Sequence, residues 1–115
     1  MTKLKFKAKV PLPDEIELPE RWGRDSGLLA CPIVEGIPCC VSMYLGHTLG
    51  MGDWRDSTPY AAKDRLVDMG FDEESAHEIV LIHDGLDVDG PVHLPDRRAL
   101  AYRMALEAMG YEVPK

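Results

Sequence analysis

Two consecutive helices are predicted by the stretch at 57–94, STPYAAKDRLVDMGFDEESAHEIVLIHDGLDVDGPVHL. Thr58 followed by Pro59 is a typical helix start, because the hydroxyl can accept from free backbone N–H groups and proline suits the first helical position. Apolar residues then recur at helical spacing with charged residues between them, at Ala62, Leu66 and Met69. This pattern predicts a first helix with one buried face.

A glycine stop and a new cap separate the first helix from the second. Gly70 is predicted to end the first helix, because glycine adopts the left-handed backbone that closes helix C-termini. Asp72 can cap the next helix, with Glu73 and Glu74 at the positive end of its dipole. The run 79–82 is continuous and mostly β-branched, as in a buried strand, but no separate strand start follows the cap. We therefore predict helix through this run.

A third helix is predicted to begin near Pro95 and to end at Gly110, with apolar residues on most of its circumference. Its last residues, LEAMGY at 106–111, match the end of the first helix, LVDMGF at 66–71. Six positions are too few to establish a repeat. We interpret the match as one stop device used twice.

The N-terminal half carries strand patterns. Four lysines alternate with apolar residues over 3–10, which predicts a strand with all four ammonium groups on one face. Farther along, two apolar runs flank Glu35 and Gly36, which predicts a β-hairpin. The predicted register pairs Val34 with Ile37, Ile33 with Pro38, and Cys31 with Cys40.

The whole chain, residues 1–115, is predicted to be one α+β domain. Its sheet-forming half, 1–56, contributes a small antiparallel sheet made of the N-terminal strand plus the hairpin. Its helical half, 57–115, contributes two or three helices packed against that sheet. A chain of 115 residues with 45% hydrophobic content can bury a core without disulfide staples.

Bulk charge and composition restrict the functional classes. The net charge of −7 and pI near 5.0 argue against direct binding of nucleic acid, because phosphates would be repelled. No apolar run approaches the roughly 20 residues of a membrane span, and the N-terminus lacks an apolar signal core. Three cysteines, an odd number, fit a reducing compartment. We therefore expect a cytoplasmic protein without membrane contact, and the sequence does not define its oligomeric state.

Acidic residues cluster in the helical half, and we expect them to bind a protein with a basic surface. Such a field steers association with a cationic partner, in the manner of an inhibitor, an immunity protein or an adaptor. The chain has no phosphate loop, nucleotide fingerprint or catalytic constellation, which favours a binding protein over an enzyme and gives no reason to expect a cofactor. The candidate partner-binding residues are Asp72, Glu73, Glu74, Glu78, Asp84, Asp87 and Asp89.

The loop at 85–96 offers an alternative, binding of a divalent metal. It resembles the EF-hand calcium loop, with Asp87 and Asp89 at the third and fifth positions and Gly90 at the sixth. The first position is glycine, and the twelfth is Asp96, whose short side chain reaches a metal less readily with both oxygens. The resemblance implies Asp87, Asp89 and Asp96 as metal ligands, whereas the other interpretation is an acidic turn between two helices.

A cysteine-dependent enzyme is a second alternative. Cys31, Cys39 or Cys40 would be the nucleophile and His47 the base that activates it. No glycine-flanked cysteine stands at a helix start, and cysteines in an apolar hairpin are typically inert core residues.

Two histidines invite a metalloprotease interpretation that their spacing does not support. His77 and His83 lie six residues apart, so they point to different sides of a helix, whereas that chemistry needs two histidines four residues apart. We expect both side chains to be solvated or to cap a helix end.

The tripeptide Met69-Gly70-Phe71, between two predicted helices, resembles the loop of ubiquitin-associated domains. The likeness covers residues 61 to about 81. That family's third helix follows after a short turn, whereas a proline- and acid-containing loop follows here, and the predicted sheet is foreign to it. We interpret the likeness as shared helix-stop chemistry and infer no family function from it.

Overall fold

The computed structural model describes residues 3–9, 11–16, 33–34, 37–38, 45–46 and 61–113. Helices dominate this part of the chain: α1 (Ala61–Met69), α2 (Glu73–His83) and α3 (Leu94–Ala108). Two short strands, β1 (Ile33–Val34) and β2 (Ile37–Pro38), also occur. Because α2 packs against both α1 and α3, it is the central helix of the described part.

The predicted α+β class is wrong, because the described part of the chain is helical and has no sheet layer on which the helices pack. β1 and β2 pair only two residues each, Val34 with Ile37 and Ile33 with Pro38, as the predicted register has them. A ladder of this length offers no face for a helix. The predicted Cys31–Cys40 pair lies outside the described residues.

The N-terminal segment, residues 3–9, pairs with a helix turn instead of with a strand. It runs antiparallel to the turn that joins α1 to α2. The Lys7 N–H donates to the Gly70 carbonyl at 2.9 Å, and the Asp72 N–H donates to the Lys5 carbonyl at 3.4 Å. The predicted N-terminal strand of a sheet is therefore an extended segment docked on a helical hairpin.

Aromatic packing accompanies these backbone bonds. Phe6 and Phe71 form an isolated antiparallel bridge, with ring centroids 4.8 Å apart and ring planes inclined at 47°. Leu4 and Phe6 are half-buried, whereas the four lysines between 3 and 9 are exposed. The alternation thus correctly predicted two unlike faces. It could not predict the pairing partner, because a period of two records only which side chains meet apolar surroundings.

The end of α1 shows the predicted glycine stop. The Gly70 N–H donates to the Val67 carbonyl at 3.0 Å and the Phe71 N–H to the Leu66 carbonyl at 3.1 Å, which together form a Schellman motif. Gly70 has a φ of 135°, a conformation that residues with a Cβ atom rarely adopt.

The same stop closes the other two described helices. The Tyr111 N–H donates to the Leu106 carbonyl at 3.1 Å after α3, so the predicted shared stop is confirmed. A third copy, LIHDGL at 81–86, was not predicted: the Leu86 N–H donates to the Leu81 carbonyl at 2.9 Å. Here the stop is hidden in sequence because aspartate takes the place of methionine before the glycine.

The helix boundaries otherwise follow the predictions. The run 79–82 is helical, as predicted, because it continues from the Asp72 cap without interruption. α3 begins at Leu94, one residue before the predicted start, with Pro95 in its first turn. The predicted start of α1 at Thr58 and Pro59 lies outside the described residues.

The core lies between the three helices and under the N-terminal segment. Four of the core residues on α2 and α3 are alanines, namely Ala76, Ala99, Ala101 and Ala105. The buried core residues are Leu45, Leu66, Met69, Phe71, Ala76, Ile79, Ile82, Ala99, Ala101, Tyr102, Ala105 and Leu106. None of the helices in the described ranges has the length and apolar content that a membrane crossing requires.

Candidate functional site

The predicted partner-binding acids divide into two groups. Three of them contact other groups of the chain: Asp72, Asp84 and Asp87. The other four have no ion pair within the described part of the chain: Glu73, Glu74, Glu78 and Asp89. Of this second group only Glu78 is half-buried, and the rest are exposed.

Asp72 caps α2 and connects it to the N-terminal segment. Its carboxylate accepts from the Ser75 N–H at 2.8 Å, and this bonding to Ser75 lowers the pKa of Asp72. The buried Ser75 hydroxyl in turn accepts from the Lys5 N–H at 2.7 Å. The helix start and the docked segment therefore share one hydrogen-bond network.

At the other end of α2, His83 is buried, which corrects the expectation of a solvated or capping histidine. The residue is 8% exposed, and its Nδ1 lies 2.9 Å from the Asp84 carboxylate. Because an ionised carboxylate only accepts, Nδ1 carries the proton in the neutral ring and Nε2 then carries the lone pair. Nε2 is buried, and none of the residues that the structure describes offers it a hydrogen-bond partner. His77, on the outer side of the same helix, is exposed as predicted.

Burial should make the stability of the fold depend on the charge of His83. Desolvation lowers the pKa of His83 below its ordinary value of 6.5, and the nearby Arg98 adds to this lowering, although the hydrogen bond to Asp84 opposes it. A histidine with a depressed folded-state pKa binds fewer protons than the unfolded chain does. The contribution of neutral His83 to stability is therefore complete above its unfolded-state pKa and declines as the pH falls toward its folded-state pKa.

We accordingly expect the urea concentration at the unfolding midpoint to decrease as the pH is lowered from about 7.5 to about 5.5, the range in which histidine titrates. The variant His83→Asn, which keeps a donor for Asp84 but does not titrate, should flatten this dependence. His77→Asn is the matched control and should keep the wild-type dependence. Equal pH dependence in wild type and His83→Asn would contradict the assignment.

Asp87 is balanced by a cation within the fold. Its carboxylate forms an ion pair with the Arg97 guanidinium in the first part of α3, and both side chains are mostly buried. The described residues include no group of three or more histidine, cysteine or acidic side chains placed to hold a metal. Arg97 supplies the positive charge beside Asp87 that a metal ion would have to displace. Asp96, the third ligand of the EF-hand-like alternative, lies in the first turn of α3.

The outward side of α2 presents an acidic surface. Glu73, Glu74 and His77 are exposed in its first half, and Glu78 and Leu81 are half-buried farther along. The inward side carries the buried residues of the helix, so the acids are directed away from the core. Asp89 continues the exposed acidic surface in the loop that follows.

A shallow cleft lies beside the docked N-terminal segment. It has a volume of about 530 Å³, and its lining carries both signs of charge, from Lys7 and Lys9 of the N-terminal segment and from Asp72 and Glu73 at the start of α2. Its mixed lining gives no preference for an anionic or a cationic ligand.

The residues of the cysteine alternative, Cys31, Cys39, Cys40 and His47, lie outside the described residues. Comparison of the chain with protein-family models, with curated proteins and with solved structures finds no match.

Proposed function

We propose that the protein binds another protein that has a basic surface, through the acidic outward side of α2 and the loop after it. The contact residues in this proposal are Glu73, Glu74, Glu78, Asp84 and Asp89. Asp72 and Asp87 serve the fold instead, as the cap of α2 and as the partner of Arg97. The protein would act as an inhibitor, an immunity protein or an adaptor.

The distribution of charge along the chain carries this proposal. The stretch 66–96 contains nine acidic residues and no lysine or arginine. Cations border it on both sides, at Arg65 and Arg97, and Arg97 is paired with Asp87. Within this stretch, Glu73, Glu74, Glu78, Asp84 and Asp89 have no lysine or arginine beside them in sequence, and such acids produce a field that steers a basic partner and raises its association rate.

The acids on α1 provide a contrast within the same protein. Asp64 and Asp68 are also exposed, and they lie four residues apart as Glu74 and Glu78 do. However, Lys63 and Arg65 flank Asp64 in sequence, and Asp68 lies three residues after Arg65. Opposite charges this close weaken the field that a partner meets at a distance of several ångströms. The acidic side of α2 is therefore the stronger attractor of the two.

A matched pair of double variants tests the proposal. Proteins retained by the immobilised wild type from an extract of the cells that make it would be identified, purified and titrated. We expect a basic protein whose affinity falls steeply as NaCl rises from about 0.05 to about 0.5 M, because salt screens exposed charges. Glu74→Gln with Glu78→Gln should raise its Kd by about tenfold at the lower salt and flatten the salt dependence.

Asp64→Asn with Asp68→Asn removes the same charge at the same helical spacing and serves as the control. It should leave the Kd within about threefold of the wild-type value, because rim charges away from a contact contribute little. Binding that is insensitive to salt, or that the two double variants weaken equally, would contradict the proposal.

A further inference from the structure

One leucine at a helix end breaks a pattern that the protein otherwise keeps. In a Schellman motif the apolar residue after the glycine usually packs back on the last turn of its helix. Phe71 takes this position after α1 and is 1% exposed, and Tyr111 takes it after α3 and is half-buried. Leu86 takes it after α2 and is 69% exposed. The same backbone motif is thus followed by a buried side chain after α1, a half-buried one after α3 and an exposed one after α2.

Three exposed apolar residues follow one another closely along the chain, and we call Leu86, Val88 and Leu94 together the apolar patch. Val88 is 44% exposed and Leu94 37%. These are the large hydrophobic side chains that the described part of the chain leaves exposed, and all three lie within residues 86–94. Single exposed leucines are ordinary on protein surfaces, whereas three exposed large apolar side chains within residues 86–94 form a candidate interaction surface.

The loop that carries Leu86 and Val88 is held in place by three contacts. The Leu86 N–H is fixed by its bond to the Leu81 carbonyl, and Asp87 is fixed by Arg97. Val92 packs so closely over Gly85 that an added Cβ there would lie 2.6 Å from Cγ2 of Val92. An apolar group on a loop that is already ordered loses little entropy on binding, which is the condition for a strong anchor.

The charges around the patch identify its occupant. Asp84 and Asp89 border Leu86 and Val88 in sequence and are exposed, and no lysine or arginine occurs from 66 to 96. A second copy of the chain carries a net charge of −7 and would be repelled at long range, because its exposed N-terminal lysines do not balance its acids. An apolar pocket with a lysine- or arginine-rich border would be complementary to the apolar patch and to the acids beside it, Asp84 and Asp89.

We propose that Leu86 and Val88 are the apolar anchor of the protein's contact with its partner, and that they insert into an apolar pocket bordered by basic side chains. This inference rests on the proposed function and specifies the partner's surface. The acids govern the approach of the partner and the salt dependence of binding, and Leu86 governs how long the complex lasts. Interfaces commonly divide these tasks between charged rims and a buried central group.

Substitution of Leu86 separates the anchor from the charges. The probe is the basic protein retained and purified in the experiment above, titrated against the wild type, Leu86→Ala and Leu86→Met. We expect Leu86→Ala to raise the Kd by about tenfold or more, as truncation of an interface anchor does, mainly through faster dissociation. The slope of Kd against salt should stay that of the wild type, because no charge has changed.

Leu86→Met keeps the apolar area and should bind within about threefold of the wild type. An unchanged melting temperature of Leu86→Ala would show that the fold is intact. If binding is salt-sensitive but Leu86→Ala binds like the wild type, the anchor is wrong and the proposed function stands. If no salt-sensitive partner is found, both are overturned. Dimerisation of the free protein that Leu86→Ala abolishes would assign the patch to a second copy and would also overturn the anchor.

Discussion

Replacing Gly70 with alanine is expected to lower the free energy of unfolding by roughly 3 kcal/mol or more, the sum of left-handed backbone strain and overpacking. An added Cβ would overlap the Lys7 carbonyl and lie 2.8 Å from Cε2 of Phe6. The docked N-terminal segment would have to move away, and the hydrogen bond between Lys7 and Gly70 would be lost. Urea unfolding followed by far-UV circular dichroism measures the effect.

Gly110→Ala is a matched control, because it alters the same motif at an open site. Gly110 has a φ of 99°, and an added Cβ meets no atom of the described residues within 4 Å. Only the backbone strain remains, so we expect a loss of about 1 kcal/mol. Equal losses at Gly70 and Gly110 would mean that the N-terminal segment does not lie against the turn between α1 and α2.

Replacing Phe71 with alanine is expected to lower the free energy of unfolding by about 3–5 kcal/mol, the usual range for a buried phenylalanine. The Phe71 ring joins the helical core to the N-terminal segment through its contact with Phe6. A loss of this size is a large part of the 5–15 kcal/mol that typically stabilises a domain, so the unfolding midpoint in urea should fall clearly.

Phe6→Ala should be milder, because the Phe6 side chain is only half-buried. The double variant reports the direct contact: the two rings should be coupled by about 0.5–1.5 kcal/mol, as aromatic pairs at this distance are. Losses that add without coupling would show that the rings do not touch in solution, and the docking of the N-terminal segment would have to be reconsidered.

Local sequence signals predicted the helices well. Gly70 and Gly110 end helices because glycine adopts, at low cost, a positive φ that residues with a side chain rarely adopt. Asp72 caps α2 because its side chain reaches an N–H three residues ahead. Each of these signals acts over a few residues, so it can be recognised without knowledge of the rest of the fold.

Long-range pairing could not be predicted in the same way. The alternating lysines correctly indicated an extended segment, but Lys5 bonds to Ser75, seventy residues away in sequence. A strand edge and a helix turn both offer carbonyl and N–H groups at suitable spacing, so the backbone of the N-terminal segment fits either. The error in fold class follows from this ambiguity.

Some features of the candidate site could likewise be predicted from local sequence, and others depend on the fold. Acidity of the α2 surface follows from composition, and the exposed positions of Glu73 and Glu74 follow from the helical period. The pairing of Asp87 with Arg97 depends on how the loop turns between α2 and α3, and so does the exposure of Leu86. A leucine after a glycine stop gives no sign, in sequence, of whether it is covered.

In the proposed function, the inward side of α2 packs in the fold and the outward side binds the partner. The inward side is fixed by α1 and α3, and the network of Asp72, Ser75 and Lys5 fixes the start of the helix. The outward acids therefore stand on a rigid element, which limits the entropy lost when a partner binds.

The most direct test of the account is a map of the contact surface by nuclear magnetic resonance. The isotope-labelled protein would be titrated with the purified basic partner, and the backbone amide shifts followed residue by residue. We predict that the largest changes fall on the outward positions of α2 and on residues 84–90, with little change on the outer side of α1. Changes concentrated on the lysines of the N-terminal segment or on Asp64 and Asp68, with α2 unaffected, would contradict the account.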